Sequence, residues 1–435
     1  MPPQSLSRQL TLPGATTLVV GQVIAVGIFL TPGTIIRTLA SPLWVLGIWA
    51  VMGGMAICGA LCYGALAARY PEAGGGYVYL REAYGPRVAF LYGWKCFLIM
   101  DPGITAALAT GFAAYTGSIV PLSTVALRGV AMLAIVVLAV VHILGLRVGT
   151  RIVAALTALK LALILGLIGI ALVSSRGAWQ NLVPFVARRT TGPLAPAIAT
   201  ALISAFFAFG GWWEVTKIAG EVRDPERTMP RALVLGLAAV TLVYMLITLA
   251  FMYVVPIEQV GAGEAFVSQV GTALFGRSGA IAVTLVVLTC ILGSLAVVMM
   301  LAGRAYFAMA RDGVFPAAAA AVHPRFGTPA RAIAAQALVA CVLVALGTFD
   351  TIVAYFIFIT VVFIGLTVAA VFVTRRRDSS FSIPGHPWTA LIFLAFVAAL
   401  LLLMLVNNPL QALLGVAVVS LGAPVYRMIQ RPVRV

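Results

Sequence analysis

The fold is decided by the stretch Val20-Gly21-Gln22-Val23-Ile24-Ala25-Val26-Gly27-Ile28-Phe29-Leu30-Thr31-Pro32-Gly33, which lies inside the first long apolar segment of the chain. Three glycines and a proline interrupt a run of residues that is otherwise suited to cross a bilayer. Hydrocarbon provides no water to unpaired peptide groups, so a membrane helix breaks only where it lines a cavity or is buried in protein. We therefore predict a broken helix here, with the break as a candidate binding site.

The composition places the whole chain in a membrane. Of 435 residues, 62% are hydrophobic and 9% are charged, and the mean hydropathy is +1.10. A soluble domain has no interior large enough to bury that much apolar surface. The 28 basic residues outnumber the 12 acidic ones, but no basic stripe with interleaved aromatics indicates a nucleic-acid partner. The sequence has no phosphate-binding loop, no nucleophile elbow and no zinc-protease motif, so neither an enzyme nor a bound cofactor or metal is expected.

Runs of about 20 apolar residues are long enough to cross a bilayer. The sequence contains twelve of them, near residues 14–38, 44–68, 88–118, 124–145, 150–174, 194–220, 232–255, 279–309, 331–348, 351–374, 388–406 and 409–427. We therefore predict an all-α integral membrane protein with twelve transmembrane helices.

The arginines predict the orientation of these spans. With the N-terminus in the cytoplasm, 19 of the 28 basic residues fall on cytoplasmic segments and 6 on outer segments, while Lys95, Lys160 and Lys217 lie within spans. An excess of positive charge on cytoplasmic segments is the rule for membrane proteins. Both termini are therefore predicted to be cytoplasmic, and the Ala- and Arg-rich composition is compatible with a bacterial cytoplasmic membrane.

A second interruption lies in the sixth span, at Phe206-Phe207-Ala208-Phe209-Gly210-Gly211-Trp212-Trp213-Glu214. The first and sixth spans are five spans apart in the chain. Because five is an odd number, the two spans cross the membrane in opposite directions, and two similar five-helix units that begin with them would be inverted relative to each other. Paired breaks at matching positions of two halves indicate the binding site of an inverted-repeat transporter. The alternative is that the glycines only permit close helix packing, as small residues do in membranes.

Three motifs of the chain resemble those of the amino acid–polyamine–organocation transporters. They are the first-span run ending Gly27-Ile28-Phe29, the glycine-rich loop at 70–79 that leads to Tyr84-Gly85, and the stretch Phe209-Gly210-Gly211-Trp212 that continues to the charged turn at 221–231. The resemblance covers residues 15 to 235 in motif and most of the chain in topology. The Gly-Gly-Trp pattern is most similar to the L-type amino acid transporters.

The resemblance implies a LeuT-like fold with broken helices 1 and 6. Residues 1–435 would form a single transporter domain. Within it, the first five-helix repeat would cover 14–174, the inverted repeat 194–374, and two additional helices 388–427.

The same resemblance, together with helix electrostatics, assigns the substrate site. The amino end of a helix is partly positive and its first N–H groups are unpaired, so the N–H groups of Val26, Gly27 and Ile28 are expected to bind a substrate carboxylate. Carbonyl groups left free at the two breaks are expected to accept from its α-ammonium group. The predicted substrate-binding residues are Val23, Ile24, Val26, Gly27, Ile28, Phe206, Ala208, Phe209, Trp212 and Trp213.

Two departures from the family pattern predict a narrow site. The family usually has a small triplet such as Gly-Ser-Gly before Ile-Phe, where this chain has Ala25-Val26-Gly27. L-type members often carry a polar residue after Gly-Gly-Trp, where this chain has Trp213. Both changes add apolar volume, so large substrate side chains are expected to be excluded. Phe209, Trp212 and Trp213 would serve either as an aromatic gate or as plain packing.

Lys160 is the most informative single charge of the sequence. It lies near the middle of the fifth span, about nine residues or roughly 14 Å from the inner end, which is too deep to reach the interface. An intramembrane charge is costly and indicates function by default. In sodium-independent members of the family a lysine in the fifth span takes the place of a sodium ion, so the ammonium of Lys160 is expected to bond carbonyls near Ala25 or Gly21. The alternatives are a carrier of a coupling proton and a structural lysine paired with an acid.

Two further charges lie in the third span. Lys95 and Asp101 are about 120° apart around a helix, so they do not pair with each other and each needs another partner. Asp101 either borders the substrate site, pairs with Lys160, or is a buried structural acid.

The sixth span carries three more charges. Glu214 and Lys217 are spaced i,i+3, and Lys217 and Glu221 are spaced i,i+4, so all three share one face of an α-helix. This spacing predicts a salt-bridge ladder toward the cytoplasm, with a polar site or cytoplasmic gate as the alternative.

The predicted function is sodium-independent secondary transport of amino acids, most simply neutral ones, by alternating access, as an exchanger or a proton-coupled carrier. A carrier of cationic amino acids or polyamines is the alternative within transport, with Asp101 and Glu214 receiving the extra charge. A channel or a transport-inactive receptor on the same fold is the alternative of another class, although a channel needs an open polar path. The expected partners are the substrate and the lipid bilayer. No cysteine lies clearly in an outer loop, so no obligatory protein subunit is expected.

Overall fold

A computed structural model describes residues 6–261, 264–346, 349–407 and 409–429. This described part of the chain is helical and contains no β-strand. It has one isolated parallel β-bridge, between Leu10 and Val222. The α-helices in chain order are α1 Leu12–Val23, α2 Gly27–Leu39, α3 Pro42–Arg69, α4 Gly76–Tyr84, α5 Pro86–Lys95, α6 Asp101–Ile119, α7 Thr124–Ile143, α8 Leu146–Val173, α9 Leu194–Ala208, α10 Pro225–Val254, α11 Glu264–Phe275, α12 Gly279–Arg311, α13 Ala330–Leu346, α14 Phe349–Arg377, α15 Trp388–Asn407, α16 Pro409–Ser420 and α17 Gly422–Ile429.

The helices have the lengths of membrane spans. Within the described residues, ten helices or continuous helical runs are long and apolar enough to cross a bilayer, and the bent pair α1 and α2 brings the number to eleven. Helix α13 is also apolar, and its described part, which stops before residues 347–348, has 17 residues. Each predicted apolar run falls on a helix or a pair of helices, except that residues 347–348 lie outside the described chain. The protein is therefore a multi-pass membrane protein.

The predicted break in the first span is observed. Helix α1 ends at Val23 and α2 begins at Gly27, and the two helices are bent by 54°. Gly27 lets the sixth span come close, because a Cβ atom at this position would lie 2.8 Å from the Cα of Ala208 at the end of α9. The first and sixth spans therefore touch at their breaks.

The sixth span changes its helix type at the predicted break. Helix α9 ends at Ala208, and the following segment Trp212–Glu221 is a 3₁₀-helix. Between them, Gly211 has a φ of +97°, a backbone conformation that is strained for other residues. A 3₁₀-helix of 10 residues is unusually long, and such segments inside a helix often mark functional hinges.

The third span contains an irregularity that the sequence did not reveal. Helix α5 ends at Lys95, a π-helical segment follows at Cys96–Met100, and α6 begins at Asp101. Short π-helical segments inside α-helices are frequent at functional sites. This one lies directly between the two charged residues of the span.

The glycine-rich loop at 70–79 forms a docking contact with the sixth span. The N–H group of Gly74 donates to the carbonyl oxygen of Lys217 at 2.9 Å. A Cβ atom at Gly75, whose φ is +56°, would lie 2.8 Å from the backbone nitrogen of Lys217. Helix α4, which was not predicted, begins immediately afterwards at Gly76. The glycines therefore allow the connection before the third span to lie against the 3₁₀-helix.

The most extensive helix pairing joins α3 to α10. Small residues let membrane helices approach closely, and Gly64 of α3 is such a residue: a Cβ atom there would lie 2.7 Å from the Cα of Pro230. Gly54 of the same helix has no neighbouring atom within 4 Å of its Cβ position. The two glycines thus differ in what a methyl group would contact.

We expect Gly64→Ala to destabilise the protein by about 1–3 kcal/mol, because the added methyl group meets rigid backbone and overpacks the interface. The measurement is the thermal midpoint of the purified protein in detergent. Gly54→Ala is the matched control and should leave the midpoint unchanged or slightly raised, since alanine is the better helix former. Equal midpoints for the two variants would show that the close contact at Gly64 does not limit stability.

Candidate functional site

The ammonium group of Lys160 lies against the break of the first span. Its Nζ is buried and donates to the carbonyl oxygens of Gly21 at 2.7 Å and Ile24 at 2.6 Å. The expected acceptors are carbonyls near Ala25 or Gly21, and the two observed acceptors are Gly21 and Ile24, the residue directly before Ala25. The hydroxyl of Ser294 on α12 lies 3.4 Å from Nζ and 3.0 Å from the same two carbonyl oxygens.

Helix electrostatics explains why a cation is stable at this point. The last carbonyl groups of a helix have no partner within the helix and carry partial negative charge. Lys160 brings its positive charge to the carboxyl end of α1 and satisfies these carbonyls. No ion pair of the described residues involves Lys160, so the alternative of a lysine paired with an acid has no support.

Tyr244 of α10 links the two broken spans. Its buried hydroxyl lies 2.8 Å from the carbonyl oxygen of Val23 and 3.0 Å from that of Ala208. A single tyrosine in an apolar span shows no pattern, so sequence reasoning missed this residue. The expectation of free carbonyl groups at Val23, Ile24 and Ala208 is wrong, because the hydroxyls of Tyr244 and Ser294 and the ammonium of Lys160 lie within hydrogen-bond distance of them.

The opposite side of the first break retains unpaired donors. Among the described backbone hydrogen bonds, none uses the N–H groups of Val26, Gly27 and Ile28; the first pairings of α2 run from Phe29 and Leu30 to the carbonyl of Val26, at 3.0 and 3.2 Å. Val26 is also partly exposed. Unpaired N–H groups at the amino end of a helix are suited to bind an anion.

Aromatic side chains fill the space beside the break in the sixth span. The ring of Phe209 packs against Trp49 and Tyr244, with centroids 6.1 and 5.2 Å apart. The ring of Trp213 stacks on Phe206 at an interplanar angle of 16°. The cavity that remains next to them has a volume of about 10 Å³, room for about one water molecule. It is lined by Met52, Met55, Ala56, Phe206, Phe209, Trp212, Trp213, Ile364, Phe393 and Phe396.

The third and sixth spans share a buried group of charges. The Nζ of Lys217 lies 2.9 and 3.0 Å from the two carboxylate oxygens of Asp101, and the hydroxyl of Tyr306 donates to Asp101 at 2.8 Å. The carboxylate of Glu214 also contacts Lys217. The predicted alternative of a pairing between Asp101 and Lys160 is therefore wrong.

The predicted ladder along the sixth span is correct only in its first step. Glu214 pairs with Lys217, but Glu221 pairs with Arg304 of α12, at 2.8 and 3.2 Å. The reason is the helix type: with three residues per turn, a 3₁₀-helix aligns residues i and i+3 and turns i+4 away by about 120°. Sequence reasoning assumed an α-helix.

Lys95 is buried, and in the described chain no ion pair involves it. Its Nζ lies 3.0 Å from the sulfur of Met100 and 4.7 and 5.6 Å from the ring centroids of Tyr92 and Phe363. Aromatic faces attract cations at such distances. As predicted, Lys95 and Asp101 do not pair with each other.

The site combines three features of a membrane transporter. Two broken spans touch, the amino end of a helix has N–H groups without partners, and a buried cation lies at the break. Residues 10–423 match the family model described as amino acid permease, so the chain belongs to the amino acid permease family. The predicted resemblance to amino acid transporters is thereby confirmed.

Relatives of known name resemble the chain over nearly its whole length. The serine/threonine exchanger SteT of Bacillus subtilis is 28% identical, over 97% of this chain and 96% of the relative. The large neutral amino acids transporter small subunit 2 of Homo sapiens is 28% identical, over 97% of this chain and 80% of the relative. The Asc-type amino acid transporter 1 of Mus musculus is 27% identical, over 97% of this chain and 81% of the relative.

We expect Tyr244→Phe to impair amino acid uptake into proteoliposomes about tenfold. The loss of the hydroxyl leaves buried carbonyl groups at both breaks without a donor, which costs about 1–3 kcal/mol, and 1.4 kcal/mol corresponds to about a factor of ten. Tyr84→Phe is the matched control, because it removes a similar bond, 3.1 Å to the carbonyl of Leu366, away from the breaks. Uptake by Tyr244→Phe at the level of Tyr84→Phe would contradict a linking role for Tyr244.

Proposed function

We propose that this permease transports neutral amino acids across the membrane by alternating access and without sodium. The observation that carries the proposal is the contact of Lys160 with the carbonyls of Gly21 and Ile24. In transporters with discontinuous helices, carbonyl groups at such breaks coordinate the coupling cation. Here the chain supplies its own cation, so Lys160 takes the place of a sodium ion.

A neutral amino acid fits the remaining groups of the site. The N–H groups of Val26, Gly27 and Ile28 would bind its carboxylate. The carbonyl of Phe206 would accept from its ammonium group. The acids that a cationic substrate would need, Asp101 and Glu214, are both paired with Lys217. The names of the relatives, a serine/threonine exchanger and a large neutral amino acids transporter, support the same substrate class.

The transport cycle would move the two broken spans relative to the helices around them. At the end of the bundle that carries the N-terminus, the N–H groups of Gln9 and Leu10 donate to the carbonyl of Glu221, at 2.8 and 2.9 Å. The carboxylate of Glu221 in turn pairs with Arg304. Opening of this end during the cycle would require these bonds to break. We take this end as the cytoplasmic one, in agreement with the arginine distribution.

The architecture that we propose has twelve spans. The inverted five-helix repeats would cover residues 14–174 and 194–374, followed by two helices, with both termini in the cytoplasm and the protein in the cytoplasmic membrane. Contact between Gly27 and Ala208 at the two breaks supports this symmetry. The cysteines all lie within helices of the predicted spans and not in outer loops, and on this ground we propose transport without a disulfide-linked subunit.

We expect uptake of labelled small neutral amino acids into proteoliposomes to be unchanged when choline replaces sodium and to rise when unlabelled substrate is inside. Lys160→Ala should lower uptake at least about tenfold, because it removes the charged donor and leaves the single hydroxyl proton of Ser294 for the two buried carbonyls of Gly21 and Ile24. Arg151→Ala, an exposed residue on the same helix, is the control and should transport normally. A requirement for sodium would refute the role of Lys160. A channel would show no stimulation by internal substrate, and an inactive receptor no uptake.

Substrate size gives a further prediction. Val26 is partly exposed at the break. Val26→Ala should therefore let larger neutral amino acids such as leucine and phenylalanine compete with the labelled substrate about tenfold better. The change removes two carbon groups at about 0.8 kcal/mol each, and about 1.4 kcal/mol corresponds to a factor of ten in affinity. The measurement is the concentration for half-inhibition of uptake. Val136→Ala, the same change on an exposed face of α7, should leave these values unaltered. An unchanged profile for Val26→Ala would place the substrate side chain elsewhere.

A further inference from the structure

The buried charges of the third and sixth spans have no part in the sodium-independent binding just described. Lys95, Asp101, Glu214 and Lys217 are between 1% and 5% exposed. In the described chain, no hydrogen bond or ion pair joins this charge cluster to Lys160. Charges so deep in a membrane protein are costly and indicate function.

The two carboxylates of the charge cluster are not equivalent. Both oxygens of Asp101 have donors, from Lys217 and Tyr306. Glu214 contacts Lys217 through Oε2, but its Oε1 is buried without a hydrogen-bond partner in the described chain. An ionised oxygen without a donor is costly in an apolar place, and a proton on it removes most of that cost. Of the two acids, Glu214 is therefore the one that can take up a proton.

The groups around Glu214 act on its charge in opposite directions. The charged groups that face it are Lys95, Asp101 and Lys217, so two cations favour its ionised form while burial and the neighbouring carboxylate favour its neutral form. The other titratable groups, which are neutral near pH 7, are Tyr63 of α3, Tyr92 of α5, Cys96 of the π-helical segment and Tyr306 of α12. When the distances from Glu214 to these charges change, the balance between its ionised and neutral forms changes too.

The charged residues around Glu214 lie on elements of different helix type. Glu214 and Lys217 lie on the 3₁₀-helix directly after the break at Gly211, whereas Asp101 begins α6 after the π-helical segment. Movement of the 3₁₀-helix relative to α6 would alter how Lys217 divides its three donors between the two carboxylates. Each such shift changes the stability of the ionised form of Glu214.

We propose that Glu214 is the binding site of a coupling proton, and this inference rests on the proposed transport function. A proton from the outer solution forms an O–H bond at the unpaired oxygen of Glu214, which leaves Lys217 paired with Asp101 alone. Release of this proton on the other side restores the ionised form and its pairing with Lys217. In this scheme Lys160 binds the carbonyls of the first break and carries no coupling proton.

The test uses proteoliposomes loaded with a pH-sensitive dye. When a small neutral amino acid is added outside, the wild-type protein should acidify the interior, and an inward proton gradient should raise uptake. Glu214→Gln, which imitates the neutral form, should lose both effects and still exchange internal for external substrate at equal pH. Glu258→Gln, an exposed acid that pairs with Arg189, is the control and should behave as wild type.

The outcomes separate the two proposals. Acidification by Glu214→Gln, or exchange without acidification by the wild type, overturns the proton site and leaves amino acid transport in place. Absence of both uptake and exchange by the wild type refutes transport itself. If Glu214→Gln does not fold, an apolar carbodiimide, which reacts with protonated carboxyl groups, is applied to the wild type, and the adduct is mapped by mass spectrometry. An adduct at Glu214 that increases at lower pH supports the proposal, and its absence overturns it.

Discussion

A membrane helix that breaks must satisfy its backbone carbonyl groups with other parts of the protein, and this constraint organises the structure. At the first break the donors are the ammonium of Lys160, the hydroxyl of Ser294 and the hydroxyl of Tyr244. They come from three different helices, α8, α12 and α10. Because hydrocarbon supplies no water, these helices have to meet at the break. The position of the break thus fixes which helices pack around the first span.

The two sides of the first break have opposite character. The carboxyl end of α1 is occupied by protein donors, whereas the amino end of α2 keeps the N–H groups of Val26, Gly27 and Ile28 unpaired. A charge that belongs to the protein is therefore held on one side, and the capacity to bind an anion remains on the other. This asymmetry is how an amino acid carrier would recognise a zwitterion with few charged side chains.

Helix type decides the pairing of the deeper charges. The 3₁₀-helix brings Glu214 and Lys217 to one face and turns Glu221 to Arg304. The π-helical segment separates Lys95 from Asp101, so that one contacts aromatic rings and the other pairs with Lys217. As a result two carboxylates share one ammonium group, and one oxygen of Glu214 has no donor in the described part of the chain.

The sequence by itself determined the membrane class, the apolar runs, both breaks and the contact of Lys160 with Gly21, because these follow from hydropathy, from glycine positions and from motifs of the permease family. Tertiary structure alone decided that Tyr244 joins the two breaks and that Asp101 pairs with Lys217. A single polar residue in an apolar span shows that a partner is needed but not which helix supplies it. The ladder from Lys217 to Glu221 was predicted wrongly, since spacing along the sequence indicates a shared face only when the helix type is known, and packing against neighbouring spans sets that type.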